Sequence, residues 1–358
     1  MSVFKKTISG LCAGAVLLSL AACGEDTAWA NKIEGEEIRA GIYISYLLAG
    51  YSDSSSKLSD EGITEDLWNQ QVEGKGISDY IKDYATQKCK EYIGTEKMFD
   101  EMGLVLTEKD EKAVELQTDT DWDNNDDYYM LRGVSKQSIF DLNLNEAKSE
   151  MIFDAYYEEG GISAPAEQEI LDELKKTYAP VNVISIKLTD DEGNALDEAS
   201  KAQKLAEAQE LADKLENGED FVTVYDQYFE IEKDDTTTDS SAEDVAEEEP
   251  DLKKYETIVY DGMHSYYSYP EVIISLMLEM EAGEVRVMTE YEGYAFVVLK
   301  TDILADEEYV EKYSRSSLIS LKRDEFNELL SQYCSSYNVE INQKAYDRYD
   351  PQEIVNKK

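Results

Sequence analysis

The sequence predicts an α+β protein, with helical segments towards both ends of the chain and a strand-bounded α/β segment between them. Two observations carry this. The stretch Pro180 to Lys300 opens with Val181-Asn182-Val183-Ile184-Ser185-Ile186-Lys187-Leu188, whose β-branched residues alternate as in a half-buried strand. It closes with an aromatic and β-branched run, Gly293-Tyr294-Ala295-Phe296-Val297-Val298-Leu299. On either side, apolar residues recur at three and four positions, the spacing of one helical face. At 358 residues the chain has room for two domains, or for one with a large elaboration. A hydrophobic fraction of 42% and 26 tyrosines argue for a folded core.

In chain order, Lys5 and Lys6 form a positive n-region and Leu11 to Leu20 an apolar h-region too short to span a membrane comfortably. Leu20-Ala21-Ala22-Cys23-Gly24 then looks like a bacterial lipobox. Residues 1–22 are expected to leave as a lipoprotein signal peptide, with Cys23 lipidated and 23–31 as a tether; the plainer alternative is a secretory signal with an incidental cysteine. A helix should run through Ile42 and Leu48, followed by a Ser- and Asp-rich loop from Tyr51 to Gly62. A longer helix should occupy Ile77 to Met102 and end at Gly103. Thr107 and Asp110 make a capping box for the next helix. Asp119 to Asp127 reads as a solvated loop. Its alternating acids invite calcium, but starts at Asp119, Asp121 or Asp123 do not supply the glycine of an EF-hand, so weak cation affinity is the minority view.

Helices are expected at Lys136–Tyr157 and Ala164–Tyr178, the second capped by Ser163 with Pro165 in its first turn. Within the central segment, Ala202, Leu205, Ala208, Leu211, Ala212 and Leu215 mark a helix that Asn217-Gly218 closes. Glu230 to Glu249 reads as an acidic insertion. Gly283-Glu284-Val285 is a turn after another apolar helix. A last helix should cover Glu307 to Tyr337, with a short strand through Ile341, and Asn342 to Lys358 reads as a polar, poorly ordered tail.

The formal charge of −45 opposes binding to nucleic acid or an anionic membrane surface, and favours solubility, cations or basic segments. Its plain reading is a solvated acidic surface. Cys12 would leave with the signal peptide. Cys89 and Cys334 lie in helical patterns, either as buried small hydrophobes or as one disulfide. A catalytic cysteine is not expected, because the chain's single histidine, His264, is the one imidazole available to activate it. One histidine, no clustered cysteines and acids without ligand spacing give no metal site, and no cofactor is indicated.

The central order of elements, with the landmarks Gly218-Glu219-Asp220-Phe221, Gly283-Glu284-Val285 and Gly293-Tyr294, resembles the parvulin domain of peptidyl-prolyl isomerases. The flanks resemble extracytoplasmic foldases of the PrsA and SurA type. Lys32 to Ile38 looks like the small strand and turn that begin their amino-terminal domain. Leu131-Arg132-Gly133-Val134-Ser135, followed by a helix, the Ser163-started helix and a strand, matches the order in which such chains enter their parvulin domain. The resemblance implies a helical chaperone-like domain from residues 32–179, to which a carboxy-terminal helix in 303–341 returns. A parvulin-like domain, residues 180–302 with the acidic insertion at 230–250, is inserted between them, and 342–358 is the tail.

Prolyl isomerisation needs no nucleophile: the barrier is the partial double bond of the amide, ~18–20 kcal/mol, and an enzyme lowers it by binding the twisted amide best. The family commonly uses two histidines, one on each central strand, beside a pocket of methionine and phenylalanine. Here the resemblance puts Ser185 and Ala295 at the histidine positions and Tyr269 and Ile273 at the pocket positions. No confident catalytic residue is left, and the family's glycine-rich turn is also missing. Tyr269, Ile273 and Phe296 are the expected substrate groove; strand alternation could point Phe296 the other way. His264, in Gly262-Met263-His264-Ser265, is weighed as a replacement for a lost histidine and preferred as a surface residue.

The expected function is a foldase or chaperone, lipid-anchored to the bacterial cell membrane through Cys23, for unfolded or partly folded secreted polypeptides. Its isomerase unit is weak or inactive. A homodimer is an option for its assembly. The alternatives are an active isomerase with a substituted pocket, and a cell-surface lipoprotein that collects cations or basic partners on acidic loops.

Overall fold

The computed structural model describes residues 27–190, 192–234, 253, 255–263 and 269–357. The expected signal peptide, Cys23, His264 and most of the acidic insertion lie outside the described residues. The chain runs β1 (Trp29–Ile33), β2 (Glu36–Arg39), α1 (Ala40–Asp60), β3 (Gln71–Val72), β4 (Lys75–Gly76), α2 (Ile77–Glu101), α3 (Glu108–Arg132) and α4 (Lys136–Tyr157). It continues through α5 (Glu167–Thr177), β5 (Tyr178–Lys187), α6 (Glu198–Glu216), α7 (Phe221–Asp234), β6 (Glu256–Tyr260), α8 (Glu271–Glu279), β7 (Val285–Met288) and β8 (Tyr294–Lys300). It ends with α9 (Glu307–Tyr333), β9 (Val339–Ile341), α10 (Gln343–Arg348) and α11 (Pro351–Val355). The architecture is α+β. Two compact units divide it: one of residues 1–162 and 325–358, the other of 163–324.

In the first unit, β1 pairs antiparallel with both β2 and β9. The core beside this sheet is built from the apolar stripes of α1 and α2, with Tyr43, Leu47, Ile81 and Cys89 fully buried. Phe326 from the second half of α9 meets Phe153 edge-on at 5.5 Å. Ala345, Tyr349 and Ile354 of the carboxy-terminal helices are buried in the core. Arg132 ties that end down, donating to the Val355 carbonyl at 3.2 Å and the Lys357 carbonyl at 3.0 Å while it covers the Tyr128 ring.

Several expectations need correction. The Ser- and Asp-rich stretch after Tyr51 continues α1 to Asp60; Ser54 turns its hydroxyl onto the Tyr51 carbonyl, so the helix absorbs it. The acidic stretch 119–127 is helical, inside α3, with Asn125 alone leaving helical geometry (φ −141°). The Thr107–Asp110 capping box starts that helix, and no glycine or proline interrupts it. The acids stay solvated, but on a helix. The helix expected from Ala164 starts at Glu167, where Glu169 accepts from the Ala166 N–H, and Ser163 caps nothing. The tail is ordered from Asn342 to Val355 because Tyr349 and Ile354 have core to enter.

The pairing option for the cysteines resolves to two free, buried thiols. Burial pushes the Cys89 thiol up to about 12 and raises that of Cys334. Both should therefore resist a thiol reagent in the folded chain at neutral pH and react fully in denaturant; fast titration of either in the native protein would contradict this packing.

The α1–α4 approach in the same unit rests on Gly41. A methyl there would stand 2.3 Å from the Ser138 hydroxyl oxygen and 2.8 Å from its Cβ. Gly41→Ala is expected to destabilise the protein by about 1–3 kcal/mol in denaturant melts, with part of the loss recovered by Ser138→Gly on the same chain.

Candidate functional site

The second unit is organised by β5, which lies inside an antiparallel four-stranded sheet of order β6-β5-β8-β7. Its run of β-branched residues is buried on both faces, not one, because helices cover both sides. Strand alternation sorts the residues. Ile184, Ile186, Ala295 and Val297 face a core shared with α6 and α7. Val181, Val183, Phe296 and Val298 face a core shared with α8. Asp197 caps α6, accepting from the N–H groups of Ala199 and Ser200 at 2.9 and 2.8 Å, and this places its apolar stripe on the sheet.

This parity fixes the expected site residues. Ser185 stands opposite Phe296 and Ile186 opposite Ala295, so Ser185 belongs to the α8 face and Ala295 to the α6 face. The structure does not bring Ser185 and Ala295 together. It does bring Tyr269, Ile273 and Phe296 together. The Tyr269 ring meets Phe296 edge-on at 5.8 Å, Phe296 is 4% exposed and Ile273 is fully buried. Burial raises the Tyr269 hydroxyl above the ordinary tyrosine range.

From Phe296 the aromatic surface continues outward. Phe296 stacks with Tyr294 at 5.9 Å, and Tyr294 with Tyr291 at 6.4 Å. Tyr294 and Tyr291 are 37% and 42% exposed. Gly293 serves this ladder, since a Cβ there would meet the Tyr291 ring at 3.1 Å. The described face presents aromatic planes, the Ser185 hydroxyl and the hydroxyls of Tyr269, Tyr294 and Tyr291. Among the described residues there is no group of three or more His, Cys, Asp or Glu side chains that could hold a metal ion. No helix among them is long and apolar enough to cross a membrane.

Sequence reasoning missed Lys300, at the end of the run Phe296-Val297-Val298-Leu299. Its residue is 7% exposed, and its ammonium donates to the Leu278 carbonyl at 3.0 Å beside a cavity of 360 Å³ lined by Tyr178, Pro180 and Met280. A charge closing an apolar strand was the available signal. Burial lowers its pKa against the raising influence of Glu281 and Glu284. A depressed value means that the folded chain releases this proton before the unfolded chain does. Stability from this group therefore rises with pH between the folded value and the ~10.4 of an unfolded lysine. Lys300→Met should be more stable than wild type at neutral pH, and the gap should narrow as pH rises towards the ~10.4 of an unfolded lysine. Denaturant melts across that range check it; a constant gap would mean that the ammonium is well solvated.

No protein-family model matches the chain, and no curated protein matches it. Solved structures of PrsA foldases from three bacteria are similar to it. PrsA from Bacillus subtilis is 15% identical with a TM-score of 0.29, covering 76% of this chain and 91% of that one. Foldase protein PrsA from Lactococcus lactis is 10% identical with a TM-score of 0.32, covering 90% and 98%. Foldase protein PrsA from Streptococcus pneumoniae is 14% identical with a TM-score of 0.33, covering 78% and 98%.

Proposed function

We propose that this chain is an extracytoplasmic foldase, anchored to the bacterial membrane by a lipid on Cys23. It holds partly folded secreted polypeptides, and its parvulin-like unit isomerises prolyl bonds weakly or not at all. The observation that carries the reading is the sheet of the second unit. Its order of strands and helices supports the reading drawn from the sequence resemblance, while its two central strands carry no imidazole and keep Ser185 and Ala295 on opposite faces. Among the described residues no paired imidazole network stands there to favour a twisted amide, whereas the ladder of Phe296, Tyr294 and Tyr291 offers apolar and π contact. The order of charge, apolar run, small residues and cysteine at Lys5 to Cys23 supports export and lipidation.

The test is prolyl isomerase activity of the chain from Gly24 onward, on proline peptides with varied preceding residues, beside suppression of aggregation of an unfolded protein. Suppression without turnover is expected. Turnover that disappears in Tyr269→Ala would establish an active isomerase with a substituted pocket, and failure of both assays would remove the foldase reading. Radiolabelled lipid incorporation that survives Cys23→Ala would remove the anchor.

A further inference from the structure

In the first unit, α3 buries only Val114, Thr118 and Arg132 along its length. It exposes large apolar side chains instead: Leu116 at 69%, Met130 at 54% and Leu131 at 44%. Single exposed apolar residues need no explanation, but these share one helix with a dense set of acids. Leu116, Asp119 and Asp123 fall at spacings of three and four, on one face before the break at Asn125. Asp127, Met130 and Leu131 do the same after it. A separate cavity of 490 Å³ lies between α3 and α4 on another face of the helix, lined by Ala113, Val114, Asp121, Glu146 and Ala147, and none of the exposed set borders it. Apolar side chains set among carboxylates are the complement of a segment that alternates bulky apolar residues with lysine or arginine.

We propose that the exposed face of α3 docks basic, apolar segments of unfolded polypeptide, and so selects positively charged clients. The proposal deepens the foldase reading and rests on it for the source of the segments. Charge argues against the other occupants. Nucleic acid and anionic lipid are repelled, and a second copy of a chain at −45 is repelled as well. A divalent cation would leave Leu116 and Met130 uncovered.

The test uses the full chain and a short labelled peptide alternating Lys with Leu and Phe, its counterpart carrying Glu for Lys, and fluorescence anisotropy. One variant carries Leu116→Ser with Met130→Ser, another Glu115→Gln, Asp123→Asn and Asp127→Asn; these side chains are exposed, and circular dichroism checks that both variants fold. The Lys peptide should bind, the Glu peptide should not, and each variant should bind the Lys peptide about tenfold more weakly. Affinity should also fall as salt rises to about 0.5 M, because surface charge is screened. Equal binding of the two peptides, no binding of the Lys peptide, or wild-type affinity in both variants overturns the proposal. So does a self-association that Leu116→Ser with Met130→Ser abolishes while peptide binding persists, which would assign the face to a second copy. Aggregation suppression measured on the same proteins separates the two readings. Suppression retained by variants with wild-type peptide affinity leaves a foldase without this surface. Peptide binding that depends on α3, in a chain that suppresses nothing, leaves the surface and removes the foldase.

Discussion

Glu34 accepts from the backbone N–H of Asn338 at 2.5 Å across a sequence separation of 304, and next to that bond β1 and β9 pair residue by residue from Ile33–Val339 to Asn31–Ile341. This ladder joins the two parts of the first unit, because α1 and α2 begin on one side of the second unit in sequence and β9, α10 and α11 lie on the other. Closing so long an interval costs less than its length suggests, since each doubling of a flexible loop adds only about 0.6 kcal/mol. The second unit is also folded, which shortens the effective loop. What the closure must supply is burial, and Ala345, Tyr349 and Ile354 supply it by entering the core beside Tyr43 and Leu47. Arg132 adds hydrogen bonds to carbonyls that the last helix would otherwise leave to water.

Elements with a strong period and clear ends were legible in the sequence. The bounds of α4 match their expectation at both ends, and α2, α6 and β8 match within a residue or so. Legibility failed where composition was read as conformation. Acids and serines in α3 and in the second half of α1 resemble a loop, yet a carboxylate on an exposed helical position costs the helix little, and the first turn of α3 welcomes it. The tail failed for the opposite reason. Its few apolar residues are too widely spaced to show a period, and only the rest of the core gives them a place.

The site was half legible. That Tyr269, Ile273 and Phe296 form one groove was an implication of the family resemblance, counted back from Gly283-Glu284-Val285. That Ser185 and Ala295 part company depends on register, a long-range property in which a one-residue offset moves a side chain to the other face. With Ser185 opposite Phe296, the residues of β8 sharing its face are Tyr294, Phe296, Val298 and Lys300. The polar equipment of that face is thus the Ser185 hydroxyl, the tyrosine hydroxyls and the Lys300 ammonium, set among aromatic and aliphatic side chains.

The charge of the chain divides into two populations with different physics. Some carboxylates do structural work: Asp110, Asp190 and Asp197 each accept from backbone N–H groups, first from Thr107, Asn194 and Ser200 respectively, and these bonds hold their pKa values below the usual aspartate range. A folded value below the unfolded one means stability that is present above the unfolded pKa and lost as pH falls through the folded one. The solvated acids act in the opposite sense, because their mutual repulsion burdens the compact state at neutral pH and is relieved by protonation. Capping carboxylates are tied to particular turns, and Asp119 of α3 is held by Lys136 at 2.8 Å, whereas Asp123 and Asp127 stand exposed on the same helix. Their concentration around exposed Leu116 and Met130 on α3, and not around the aromatic and aliphatic core of the second unit, separates a surface suited to charged, unfolded segments from one suited to apolar contact.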